Sequence, residues 1–225
     1  MAEQKLTLYW LPASQPSRTL KTALLLAKLP HEEKFVDITK GEHKTPEFTK
    51  INPKQSIPCI TDGDFPLGES NAILRYLAAT RDIPEHLYPK DPKVRAQVDV
   101  WMDFAQNNLR VALANVLRQY LAKVFGGPEK DDHLVAFFMK GIASPLSYLE
   151  KSLEGKKYIV GDAISFADLQ LFHELTTAQM CKLDIKEYKN IAAYQEHLLG
   201  AHPEIKQVND MFASTLEGLY AAMGI

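Results

Sequence analysis

"KLTLYWLPASQPSRTLKTALLLAKLP", residues 5–30, changes periodicity once, and the fold turns on that change. Its first seven residues are compact and apolar, with aliphatics at Leu6 and Leu8 and β-favouring aromatics at Tyr9 and Trp10, and they predict a strand. Pro16 then stands where a helix accepts proline, in the first turn, because its missing N–H had no intrahelical partner. Leu20, Ala23, Leu24 and Ala27 recur at three-four spacing and predict a helix of about 12 residues that stops before Pro30. "EKFVDI" (33–38) predicts a second strand, which a helical crossover would set parallel to the first. Beyond the polar stretch "GEHKTPEF" (41–48), read as a loop, "IPCIT" and "DFPL" flank Asp62-Gly63 as a hairpin. "ESNAILRYLAA" (69–79) follows as an amphipathic helix.

Strand–helix–strand, then hairpin and helix, is the order of a thioredoxin-like βαβ-ββα domain, assigned to residues 1–80. "TRDIPEHLYPKDP" (80–92) has three prolines and little periodicity, so residues 81–92 read as a semi-rigid linker. Residues 93–225 read as an all-α domain, making the chain α+β followed by all-α. Asp91-Pro92 is a cap-plus-proline start for a helical segment running to Phe125, where "GGP" ends it. A second segment covers 131–153, with Gly141 and Pro145 expected to bend or break it. "SFAD" (165–168) is a variant capping box, with Ile164 and Leu169 at the two positions of a hydrophobic staple. Helices over 188–199 and 204–222 complete this half.

The composition excludes several classes of function. With 225 residues, 46% hydrophobic and 24% charged, the chain has material for a substantial core. A formal charge of −2 offers no broad basic footprint for nucleic acid or an anionic membrane. "MAEQKL" has no apolar signal region and no stretch is long enough to span a bilayer, so the cytoplasm is the expected location. Two cysteines, Cys59 and Cys181, are too few for a disulfide framework and read as reduced, half-buried small hydrophobes. The seven histidines show no metal spacing with cysteine or paired carboxylates, so no metal site is expected.

Three turn motifs carry groups suited to a charged peptide. Ser14 falls between the first strand and the first helix. The N–H groups of a helix start lack intrahelical acceptors, and the local potential is positive, which favours an anion. A hydroxyl there can donate to an anion, although it is a poor nucleophile without a base, and the local sequence has none. From spacing alone, capping is the favoured account of Ser14, since serine is a preferred cap residue. Ser17 lies inside the helix, bonding its own backbone or packing, and Tyr9 lies in the strand, where burial with a satisfied hydroxyl explains it. In "SIPCI" (56–60), a proline within a strand-like run lacks a ladder donor and marks a special backbone. A cis Ile57–Pro58 bond would turn the backbone of Ile57 outward toward an extended peptide, though few X–Pro bonds are cis. In "LGESNAI" (67–73), Glu69 can accept from an ammonium group and Ser70 can offer hydroxyl and N–H to a carboxylate; capping is again the alternative. His43 sits in a charged loop, where solvation alone would explain it. No Gly-rich loop is present for a phosphate. The apolar positions of "RAQVDVWMDFAQNNLRVAL" (95–113) suit a core or subunit interface better than a cofactor box.

The same residues resemble the soluble glutathione S-transferase family, theta class most closely and insect delta class nearly as well. "YWLPASQPSR" is similar to the family's serine-type N-terminus, "INPKQSIPCI" to its cis-proline segment and "GESNAILRYL" to its Glu-Ser helix start. "RAQVDVWMDFAQNNLR" resembles the first helix of the α-domain, and "ISFADL" the C-terminal capping motif. The resemblance implies glutathione as co-substrate and a homodimer. It implies Ser14 as the hydroxyl that holds the thiolate, with Tyr9 a secondary candidate and Ser17 at a non-catalytic position often filled by cysteine. It gives His43 to the glycine carboxylate, the Ile57 backbone to the cysteinyl part, and Glu69 with Ser70 to the γ-glutamyl end. Ser56 stands where theta sequences often have lysine, leaving Lys54 or Gln55 to serve the glycine end. Arg110 matches an arginine facing the electrophile pocket, with Leu11 and Asn107 as further pocket positions. Small halides, sulfate esters and hydroperoxides are the substrates implied. A non-catalytic binding module and a thiol-disulfide oxidoreductase are the competing readings. The second lacks its cysteine pair, because Ser14-Gln15-Pro16-Ser17 fills that place.

Overall fold

A computed structural model describes residues 5–225, which separate into two compact units, one running through Pro84 and one beginning at Glu85. In the first, β1 (Leu6–Trp10) is buried along its whole length. It pairs in parallel with β2 (Glu32–Phe35) and antiparallel with β3 (Cys59–Asp62), and β3 pairs antiparallel with β4 (Phe65–Gly68), giving the order β2-β1-β3-β4. Helix α1 (Gln15–Leu26) makes the crossover between β1 and β2, and α3 (Ser70–Thr80) follows β4. Leu8, Leu20, Leu24, Ile60, Ile73 and Leu74 are fully buried. Tyr9, Val36, Phe48 and Cys59 form a second apolar cluster. This is the thioredoxin-like arrangement expected.

Two local expectations change. β2 is an exposed edge strand that ends at Phe35, short of the expected Ile38. Asp37 ends it: its carboxylate accepts from the Thr39 amide at 3.0 Å and caps a single turn over Ile38–Lys40, an alternative that competes with the ladder. The stretch 41–48 is no plain loop, since Thr45 accepts from the Phe48 amide and, with Pro46 behind it, opens the short helix α2 (Pro46–Ile51).

The second unit is helical. Asp91 accepts from the amides of Lys93 and Val94, both at 2.9 Å, and opens α4 (Pro92–Phe104). A wide π-helical turn over Ala105–Leu109 leads into α5 (Arg110–Leu121), and Gly126, at φ 75°, closes the segment. The helix α6 (Asp132–Ser152) runs through Pro145 without the break that was one of the two expectations there. The carbonyl that Pro145 leaves without a donor belongs to the exposed Gly141, where water can take the missing bond.

Helix α7 (Phe166–Leu175) is buried on every side. Its start is the expected capping box: the Asp168 carboxylate accepts from the Ser165 amide and hydroxyl, both at 2.8 Å. It also accepts from the Ile159 amide and the Tyr194 hydroxyl, and burial still pushes Asp168 upward from the ordinary carboxylate range. After α8 (Thr177–Met180) and α9 (Lys189–Ala201), the expected helix 204–222 is two helices, α10 (Pro203–Ala213) and α11 (Leu216–Met223). The hydroxyls of Ser214 and Thr215 donate back to the carbonyls of Met211 and Phe212 and end α10 there. Both cysteines are free and fully rather than half buried, and burial pushes each thiol to about 12.

Candidate functional site

The turn after β1 delivers Ser14 to the cap of α1. Its amide donates to the Leu11 carbonyl at 3.0 Å, its carbonyl accepts from the Arg18 amide at 3.0 Å, and its backbone is extended. Its side chain makes no capping bond. A cap side chain reaches the N–H of the second or third helical residue. Here the second is Pro16, which has none. The first turn holds no acidic side chain to oppose an incoming anion. Arg18 is fully buried and donates to the Pro12 carbonyl at 2.6 Å, placing a guanidinium beneath the same turn. Ser14 is half-buried, so its hydroxyl is within reach of a ligand. Of the two expectations for Ser17, packing holds: the residue is fully buried and its Oγ has no hydrogen-bond partner. The Tyr9 ring meets Phe48 edge to face at 6.0 Å, inside the second apolar cluster.

The segment between α2 and β3 is the second component. Asn52, the C-cap of α2, is 7% exposed, and its carboxamide is fully engaged with Lys54 and Ser56. Oδ1 accepts from the Lys54 amide at 3.1 Å, and Nδ2 donates to the Ser56 carbonyl at 2.6 Å and the Ser56 Oγ at 3.3 Å. Gln55 sits at φ 53°, a left-handed conformation costly for a residue with a side chain, and its Nε2 donates to Thr49 Oγ1 at 3.2 Å. Ile57–Pro58 is cis, and the amide and carbonyl of Ile57 enter no backbone–backbone hydrogen bond among the described residues.

Glu69 adopts φ 66° at the cap of α3, again left-handed, with Ser70 buried as the first helical residue. Its carboxylate pairs with the Lys54 ammonium. Lys54 and Glu69, expected at opposite ends of a ligand, thus hold each other. His43 lies on a single turn over Glu42–Lys44 and is half-buried rather than solvated. Its Nδ1 is buried without a partner, and desolvation, reinforced by Lys44, lowers its pKa below the ordinary histidine value.

The expected pocket residues divide between the units. Leu11 is half-buried in the first. In the second, Asn107 is exposed on the π-helical turn, a geometry that recurs at functional sites. Arg110 donates to the Glu174 carboxylate at 2.7 Å, and that carboxylate is only 1% exposed. Glu174 and Asn52 were missed in the sequence. Asn52-Pro53 is a turn signal that could have found the latter.

Models of the glutathione S-transferase N-terminal and C-terminal domains match residues 4–79 and 113–201. A delta-class glutathione transferase of Nilaparvata lugens is 31% identical, covering 97% of this chain and 99% of its own, with a TM-score of 0.85. The chain belongs to the glutathione S-transferase family.

Human glutathione S-transferase T1-1 is 30% identical over 98% of this chain and 91% of its own, with a TM-score of 0.82. Human glutathione transferase theta-2, solved with glutathione and an unknown ligand, is 28% identical over 97% and 96%, with a TM-score of 0.85. Delta and theta relatives together agree with a theta-like glutathione S-transferase. The N-terminal family match takes in Ser14, the Asn52–Pro58 segment and the Glu69–Ser70 helix start, so all three turn motifs belong to one glutathione S-transferase domain.

Proposed function

We propose that this chain conjugates the glutathione thiolate to small electrophiles, with Ser14 holding the sulfur anion. Family membership supports glutathione transferase activity. What supports the role of Ser14 is one observation: a serine at a helix cap whose hydroxyl is not spent on capping. A cysteine thiol near ~8.5 is only a few per cent ionised at neutral pH. Lowering it by about two units takes about 2.7 kcal/mol in favour of the anion. A hydrogen bond to a charged group supplies about 1.5–3 kcal/mol. The helix end adds about 0.3–1 kcal/mol. Those two sources suffice without a catalytic base or a metal.

In the proposed reaction the sulfur lone pair forms a C–S bond, the carbon–halide or carbon–sulfate bond breaks with its electron pair, and the thiol proton passes to solvent. With a hydroperoxide the same thiolate would take the distal oxygen as the O–O bond breaks and the alcohol leaves, and a second glutathione would condense with the resulting sulfenic acid to give glutathione disulfide and water. Orientation of both partners supplies the rest of the rate. Glu69 with Ser70 takes the γ-glutamyl end, Ile57 the cysteinyl backbone, and His43, Lys54, Gln55 and Ser56 the glycine end, with Leu11, Asn107 and Arg110 on the electrophile side. Exposed Phe65 and Phe137 fit the homodimer that family likeness implies. The test is the thiolate absorbance of bound glutathione against pH, followed by turnover of aryl and alkyl halides. A midpoint equal to that of free glutathione rejects the reading, and a lowered midpoint without turnover favours a binding module.

A further inference from the structure

Asn52 makes no ordinary helix C-cap. Its own amide donates to the Phe48 carbonyl at 2.8 Å and its carbonyl accepts from the Gln55 amide at 2.9 Å, so its backbone is already fully used. The side chain is therefore free to act on other residues, and it does so in two directions. Toward the chain ahead, it fixes the Lys54 amide and both oxygens of Ser56. Toward the hairpin, its carboxamide lies against Gly68: a Cβ placed there would sit 3.5 Å from Nδ2 and 3.6 Å from Oδ1. Gly68 is followed directly by Glu69, and it pairs with Cys59, the second residue after Ile57.

One buried amide thus holds the Lys54–Ser56 segment assigned to the glycine end, with Gly68 packed behind it. Nδ2 is its only donor group, and both acceptors of that group belong to Ser56, the residue before Ile57. Oδ1 has no donor of its own and takes the amide of Lys54. An acid in place of the amide would keep the second bond and set a carboxylate against the Ser56 carbonyl. Buried polar groups left facing a like partner cost more than a bond simply lost.

We infer that Asn52 is a positioning residue for the glycine end of glutathione, setting the 54–56 backbone through its bonds to the Lys54 amide and the two Ser56 oxygens. The inference rests on the proposed glutathione-binding role of this domain. It touches neither Ser14 nor the sulfur, so it separates binding from activation.

The test compares calorimetric Kd values for glutathione and for γ-glutamylcysteine, which lacks the glycine, in the parent and in Asn52→Asp. Asn52→Asp should weaken glutathione binding about tenfold, the cost of one such bond. It should weaken γ-glutamylcysteine binding much less and leave the bound thiolate midpoint unmoved. A merely structural asparagine would lower the melting temperature and shift both ligands equally, which overturns the inference, as does an unchanged glutathione Kd. Asn52→Ser, short enough to keep the Lys54 turn but not to reach Ser56, gives the same reading should the acid variant not fold. A parent that binds neither peptide overturns the binding reading itself and this inference with it; a parent that binds both while Asn52→Asp matches it overturns only the role of Asn52.

Discussion

Replacing Ser14 by alanine separates the two roles a cap serine can have. A serine that caps loses about 1 kcal/mol of stability on going to alanine. Ser14 makes no such bond, so Ser14→Ala should unfold within about 0.5 kcal/mol of the parent, as a surface change does. The thiolate, in contrast, loses a charge-assisted bond of about 1.5–3 kcal/mol, which raises its pKa by about one to two units. For a two-unit rise from about 6.5, the ionised fraction well below pH 6.5 falls about 100-fold. The more basic sulfur is a better nucleophile, and a Brønsted slope of about 0.45 returns roughly eightfold. The net loss is then about tenfold at low pH. It shrinks as pH rises, vanishes near pH ~7.6 and reverses above that, where the variant thiol ionises too and is the better nucleophile. The assay is the initial rate with a chromogenic aryl halide at saturating glutathione across pH 5.5 to 9, paired with thermal melting. A rate unchanged at every pH with a melting temperature several degrees lower would identify a capping serine and refute the thiolate role. A loss of the same size at every pH would also refute it, since a pKa effect cannot be flat.

Arg110→Ala strips the buried Glu174 carboxylate of its guanidinium and should destabilise the protein by about 3 kcal/mol, read in urea unfolding. His202 is held below 6.5, first by burial and then by the nearby His197 and His86, with Glu204 opposing. Its folded pKa lies under its unfolded one, so its contribution is intact above pH 6.5 and is lost as pH falls; melting temperature should drop in mild acid, and less so in His202→Gln. With both thiols pushed to about 12, the native protein should release no chromophore from an aromatic disulfide reagent, and the denatured chain two equivalents. Fast labelling of the native protein would contradict that burial.

The readable parts of this fold are those decided within one turn of chain. Pro16 stands in the first turn of its helix, Asp91 starts another by accepting from amides two and three residues on, and Ser165 pairs with an acid three residues on. The parts that were missed compete with a pattern rather than follow it. Ile38 continues the apolar run of β2, but Asp37 supplies a nearer acceptor and ends the strand. The apolar spacing of 204–222 is continuous, yet two adjacent hydroxyls turn back on α10. At the site, residue types were legible and partnerships were not. Glu174 is 64 positions from Arg110, and Lys54 is 15 from Glu69, separations that only the folded chain closes.

The two cap serines show why local sequence decides a hydroxyl's fate. Ser165 and Ser14 occupy the same cap position on α7 and α1. Behind Ser165 come Phe166, Ala167 and Asp168, and the acid engages the serine hydroxyl at 2.8 Å. Behind Ser14 come Gln15, Pro16 and Ser17. Proline removes the N–H at the second position, and the third carries a hydroxyl that is itself buried without a partner. Neither offers Ser14 what Asp168 offers Ser165. An acid at position 17 would engage the hydroxyl and also place a negative charge where a thiolate must sit, opposing the helix end that favours it. Ser-x-Pro-Ser in place of Ser-x-x-Asp therefore removes one capping donor and the acid that would engage the hydroxyl, clearing the charge in the same step, and an anion is the partner such a turn can hold.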